Sequence, residues 1–231
     1  MPITEDVTAH DVAVRERWTL IESDGRLQRV VAIINERAIP LKVRHDERVN
    51  RVINHTTMTT GAKIEALWEA VDEIGEIAKP HTACRKGCSH CCHTPVLVPV
   101  QEAELIGRRI GVKPVKLTGI SGRDDIEAGY HNPCTFLDAH GACSIYSSRP
   151  LACRQLFNMD RDALLCELVG ETASKVPYMN MFDYQTALAM TAIDRRESVE
   201  RNPRTGRMQP RTVESAPVVG DIREFFPRGK G

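Results

Sequence analysis

Four cysteines fall within nine residues, in the run Cys84-Arg85-Lys86-Gly87-Cys88-Ser89-His90-Cys91-Cys92. Three more follow at Cys134, Cys143 and Cys153, and an eighth stands at Cys166. Thiols at three- and four-residue offsets can converge on one point, and thiolates are the soft ligands that hold zinc or iron–sulfur clusters. The spacing points to a metal centre. A disulfide framework is the competing reading, but Cys91 and Cys92 are adjacent, a poor arrangement for independent bridges. A chain of 231 residues also buries enough core to do without staples.

Composition narrows the surroundings of that centre. Hydrophobic residues make up 42% and charged residues 27%, an ordinary globular balance. Lys+Arg and Asp+Glu are equal at 31 each, so no global field draws the protein to nucleic acid or to an anionic membrane. Aromatics, at 5%, are too sparse for base-stacking platforms. The opening Met-Pro-Ile-Thr-Glu-Asp has neither the basic start nor the apolar run of a signal peptide, and no apolar stretch is long enough to cross a bilayer. The expectation is a cytoplasmic protein, in whose reducing compartment cysteines serve metal or redox work. An unknown protein partner is left open, with no residue that identifies it.

The periodicity predicts a mainly α fold, a small helical domain with cysteine-rich metal-binding loops between helices. Residues 1–15 read as polar and loosely held. Leu27, Val30, Val31 and Ile34 suggest a helix from Arg26 until Pro40 stops it, although the Ser23-Asp24-Gly25 turn also suits a hairpin. Ile64, Leu67, Trp68, Val71, Ile74 and Ala78 form one helical stripe over residues 60–79, with Glu65, Glu69, Asp72, Glu73 and Glu76 turned to water. Residues 94–100 read as an extended apolar connector and 101–110 as a helix ended by Gly111. An irregular stretch with Asp124-Asp125 covers 111–133, and a helix over 178–200 carries Met181, Tyr184, Leu188 and Ala192 on one face. Three regions follow: an N-terminal helical region 1–80, a cysteine-cluster domain 81–200, and an extended or disordered tail 201–231.

Within the cluster, Cys88 and Cys91 make a CxxC knuckle, a chelating unit of both zinc and iron–sulfur sites. Gly87 permits a turn that aims amides at sulfur, and Arg85 and Lys86 place positive charge beside it. Downstream, Cys134 precedes Phe136-Leu137, Cys143 precedes Ile145-Tyr146, and Cys153 sits in Arg149-Pro150-Leu151-Ala152-Cys153-Arg154. The four apolar residues suit a wall around a buried site, and the two arginines suit its charge. The combination CxxxCxxCC, CxFL, GxCxIY and RPxxCR resembles the CxxCxxCC family of putative zinc- or iron-chelating domains (YkgJ-type cysteine cluster proteins). The resemblance spans residues 84–154 and implies metal chelation by Cys84, Cys88, Cys91, Cys92, Cys134, Cys143 and Cys153, with zinc and iron both open.

Charge limits the arrangement. Zinc or an oxidised four-iron cluster with four thiolates carries a net charge of about −2, so seven or eight thiolates do not surround one centre. Either four ligate one centre, with Cys84, Cys88 and Cys91 joined by one of Cys134, Cys143 or Cys153, or two centres share the set. Cys92 is the weaker of its pair, since consecutive side chains diverge. Cys166, in an apolar run, reads as a buried structural cysteine. His81, His90 and His93 flank the cluster as solvent-facing or ligand-supporting residues. The implied cofactor is an iron–sulfur cluster, the 4Fe-4S type among them, or Zn2+.

The Cx3Cx2C triplet also occurs in radical enzymes that cleave S-adenosylmethionine, but the repeated strand–helix barrel they need is not seen in this sequence. A Cys–His nucleophile pair has no orienting or oxyanion signature beside it. Arg201, Arg204, Arg207 and Arg211 read as a solvated basic tail. The sequence supports a metal-binding protein with an iron–sulfur cluster or zinc, the alternative being a non-catalytic zinc-stabilised interaction module. Whether it is an enzyme is left open.

Overall fold

In the computed structural model, residues 8–55, 57–122, 126–169 and 172–228 are described. They hold seven α-helices and three two-stranded antiparallel pairs, so the chain is mainly α as the periodicity indicates. No helix among them is long and apolar enough to cross a membrane. Residues 1–7 of the segment read as loosely held, and Asp124-Asp125, lie outside the described residues.

The first helix, α1 (Ala9–Ser23), falls where a loose segment was expected. A capping box starts it: Thr8 Oγ1 accepts from the Asp11 amide, and Asp11 Oδ2 accepts from the Thr8 amide. Gly25, at φ 62°, turns the chain into α2 (Arg26–Asn54). Pro40 does not stop this helix. Its ring removes one backbone hydrogen bond, at about 3 kcal/mol in a helix interior. Buried Val30 and Ile34 before it, and His45 and Val52 after it, anchor the helix on both sides.

The central helix, α3 (Thr60–Ala78), begins at the Thr59 N-cap and buries Ile64, Leu67, Trp68, Val71 and Ala78, the predicted stripe, with Ile74 partly buried beside them. It packs against α2, against α4 (Val100–Ile110), α5 (Leu151–Arg154) and α6 (Phe182–Ala192). Its carboxylates are not a plain water-facing surface. Glu73 Oε2 meets His45 Nε2 at 3.0 Å, and His45 Nδ1 meets the Tyr184 hydroxyl at 2.7 Å, which locks α2, α3 and α6 together. The His45 hydrogen bond, with Arg48 and Arg44 behind it, holds Glu73 below the usual carboxylate range, while burial pushes the Tyr184 phenol up to about 12.

The remaining segments depart further from expectation. The connector at residues 94–100 forms β1 (Leu97–Pro99), paired with β6 (Val219–Asp221) in the register Leu97↔Asp221. A minor pair joins β2 (Leu168–Val169) to β3 (Thr172–Ala173). The helix expected over 178–200 ends at Ala192, and β4 (Asp194–Arg201) pairs with β5 (Met208–Ser215). After Ile193 the sequence has no helical stripe left to bury, and a partner strand follows within reach. The chain from 208 to 228 is not a loose tail either: after β5 come β6 and α7 (Ile222–Phe225), with Ile222, Phe225 and Phe226 in the core.

Candidate metal centre

The cysteines sit on four short segments, each set by local rules and then tied to the others. The first leaves α3 through a 3-10 turn, Lys79–His81, started by Pro80. The Cys88 amide bonds back to the Arg85 carbonyl at 3.0 Å, across Gly87 at φ 87°, a conformation a side chain disfavours. A second 3-10 turn, His90–His93, carries Cys91 and Cys92. The next segment attaches directly, because the Cys134 amide donates to the Cys92 carbonyl at 2.7 Å. Leu137 and Cys143 then pair as an antiparallel bridge. Its turn runs through Gly141, at φ 73°, where an added Cβ would stand 3.3 Å from the Gly87 carbonyl oxygen. The first two cysteine segments therefore touch at two glycines.

Cys153 lies inside α5, whose start is capped from below. Glu102 is completely buried, and its Oε1 accepts the Leu151 amide at 2.8 Å and the Trp68 indole N–H at 2.7 Å. Burial pushes the Glu102 carboxyl up to about 7 against these two hydrogen bonds. Cys166 closes a 3-10 turn, Leu164–Cys166. The sequence placed the metal-binding cysteines in loops between helices and Cys166 in an apolar run; the fold instead puts Cys91, Cys92 and Cys166 in 3-10 turns and Cys153 in a helical one.

All eight thiols are free, and each is half-buried. The neighbouring Cys92 thiol and burial raise Cys91 well above the ordinary thiol value. Burial alone is the first cause for Cys84, Cys134 and Cys143, all raised, and for Cys153, raised well above. Cys166 is pushed up to about 12, again by burial, with an Asn158 hydrogen bond working the other way. The two arginines of the motif separate in role. Arg149 lies near Cys91, Cys143 and Cys153 and favours their charged forms. Arg154 turns away, over the Trp68 ring at 4.5 Å and onto Asp72 and the Ser147 carbonyl, where it docks α5 to α3.

The flanking histidines also divide. His90 Nδ1 meets the Tyr130 hydroxyl at 2.7 Å. His93 packs edge-on against the same ring, its Nδ1 buried without a partner, and burial lowers its pKa. His81 Nε2 is likewise buried and unpartnered. Of the apolar wall, Ile145 is buried and Phe136 packs on Phe226 at 5.3 Å, whereas Tyr146 is exposed under the Arg149 guanidinium.

Among the described residues, no three His, Cys, Asp or Glu side chains are gathered tightly enough to hold a metal ion. The donor chemistry nevertheless fits one. Half-buried thiols held neutral by burial are soft ligands that a cation would deprotonate, and amide N–H groups already point at Cys84 and Cys166. Sequence reasoning missed two contributors. Asn158 donates to both of those thiols, and nothing in its local sequence marks it. The C-terminal segment braces the site: Arg228 donates to the Cys134 carbonyl at 3.0 Å, and Arg223 to the Asn132 carbonyl at 2.6 Å.

Residues 83–175 match the model of the CxxCxxCC family, described as a putative zinc- or iron-chelating domain. No curated protein and no solved structure matches the chain.

Proposed function

We propose that a chain carrying this domain is a metal-binding protein that holds an iron–sulfur cluster or zinc through cysteine thiolates supplied by Cys84, Cys88, Cys91, Cys92, Cys134, Cys143 and Cys153. The observation that carries the reading is the joining of separate cysteine segments by backbone contacts, Cys134 to Cys92 and Gly141 against Gly87, with every thiol free. A cation that displaces the thiol protons would bind the segments to one another through their sulfurs. Structural zinc contributes about 10–16 kcal/mol of apparent binding energy in small domains. An iron–sulfur cluster would add redox chemistry at the same thiolates, with Arg149 offsetting the negative charge of the ligand set.

A second reading, a non-catalytic zinc-stabilised module that presents a surface to a protein partner, draws on the cavities. A cavity of 320 Å³ is lined by Glu104, Gly107, Arg108, Gly111, Val112, Lys113 and Pro114, at the end of α4 and without any cysteine. Metal and acid-labile sulfide content, measured on protein purified without oxygen, separates the two. Iron and sulfide in equal amounts with a brown chromophore support the cluster. Colourless protein with tightly held zinc supports the zinc form of the centre and with it the module, and protein with neither metal refutes both.

A further inference from the structure

The β4–β5 hairpin is exposed on both faces. Val199 and Met208 stand on one, Arg211 and Val213 on the other, and among the described residues no third strand joins the pair. A two-stranded hairpin left to itself is marginal in water, and an open edge offers a row of unpaired backbone groups to another strand. Hydrogen bonding at the turn tells which groups those are. The Asn202 amide donates to the Arg207 carbonyl and the Asn202 carbonyl accepts the Gly206 amide, both at 2.8 Å, so the backbone of residue 202 faces β5. Alternation along β4 then turns the backbone groups of residues 198 and 200 inward and those of 197, 199 and 201 outward.

The two outer edges are not equivalent. On β5 the outward position opposite Val199 is Pro210, which has no N–H to give and closes the middle of that edge. β4 carries no proline, so its outward amides stay open. Its charges also choose a partner. Antiparallel pairing with a second β4, centred on Val199, sets Glu197 opposite Arg201 on both sides of the axis. Moving the centre by one residue sets Arg195 against Arg201 in one direction and Glu200 against itself in the other, and like charges directly opposite are destabilising. We propose that β4 pairs in this register with β4 of a second copy of the chain, making a four-stranded sheet with about six new backbone hydrogen bonds. The pairing brings the two exposed Val199 side chains together. It leaves Pro210 on each outer edge, so the sheet stops at four strands instead of growing into a filament. No thiol takes part, and the proposal is independent of the metal reading above.

The test is sedimentation velocity on the full chain as isolated, over a wide range of concentration and with a reductant present to exclude intermolecular disulfides. A reversible monomer–dimer equilibrium is expected, and a monomer throughout overturns the proposal. Amide hydrogen exchange at high and low concentration should slow at Val199 and Arg201 in the dimer and stay unchanged at Met208 and Thr212 on the other edge. Protection confined to a different surface overturns it. Val199→Pro removes one outward N–H, as Pro210 already does across the hairpin, and should leave a monomer. Arg201→Glu puts a carboxylate opposite Glu197 and should weaken association about tenfold, and the double variant E197R/R201E should restore it. A dimer indifferent to Val199→Pro, or a double variant no better than Arg201→Glu alone, overturns the proposal. The wild-type measurements do not depend on any variant folding.

Discussion

The C-terminal segment, residues 216–228, and the β4–β5 hairpin before it look alike in sequence: both carry prolines and arginines, and both lie outside residues 83–175. The fold treats them oppositely. The C-terminal segment inserts into the core. Asp221, completely buried, accepts the Val96 amide and the Arg223 guanidinium, the Val115 amide donates to the Phe225 carbonyl, and Phe225 is fully buried. The hairpin instead leaves Val199 at 63%, Met208 at 61% and Val213 at 42% exposed, with Arg201, Arg204, Arg207 and Arg211 toward its exposed end. Three apolar side chains in a row of five, Ile222, Phe225 and Phe226, make the difference: they offer the area that repays ordering, whereas among the described residues the strands of the hairpin pair only with each other.

Metal removal should sharpen this contrast most. Stripping the metal should cost most of the stability of residues 83–175 and expose amides of the C-terminal brace to hydrogen exchange, while the hairpin amides exchange as before. Unchanged exchange throughout would mean that the brace does not sense the site. Acid should act in the same direction, since thiols raised by burial hold their protons and compete with metal as pH falls.

Phe225→Ala should come next, at about 3–5 kcal/mol by chemical denaturation. Metal content should fall with it, because α7 leads to the Arg228 contact on Cys134. Glu102 supplies a smaller, pH-dependent effect on the scaffold side. Its carboxyl titrates higher in the fold than in the unfolded chain, so its contribution is present below pH 4.5 and is lost as pH rises towards 7. Glu102→Gln should flatten that loss, of a few kcal/mol, in denaturation curves taken from pH 4.5 to 8. Unaltered pH dependence would place the titrating group elsewhere. Excising the hairpin and closing it with a short turn should have the least effect, under about 1 kcal/mol and with metal content intact, since it buries little.

Much of the helical frame was legible beforehand. The α3 stripe, the α4 stop at Gly111 and the cysteine motif are local signals, written in spacing and in one left-handed glycine. The misreadings share a cause. Pro40 argued for a break that burial on both flanks overrules, and Glu73 looked solvent-facing until His45 reached it from α2. In each case the deciding partner lies far off in sequence or is spread over both sides of the position.

The sequence by itself determined that thiols would dominate this protein and that amphipathic helices would frame them, because ligand chemistry and periodicity are properties of residues and their neighbours. Only the tertiary structure decided which of the two motif arginines lies near the thiols, and that the Pro-bearing end of the chain is a brace rather than a tail. Those outcomes depend on contacts between distant segments, whose energies come from burial and hydrogen bonding that no local pattern encodes.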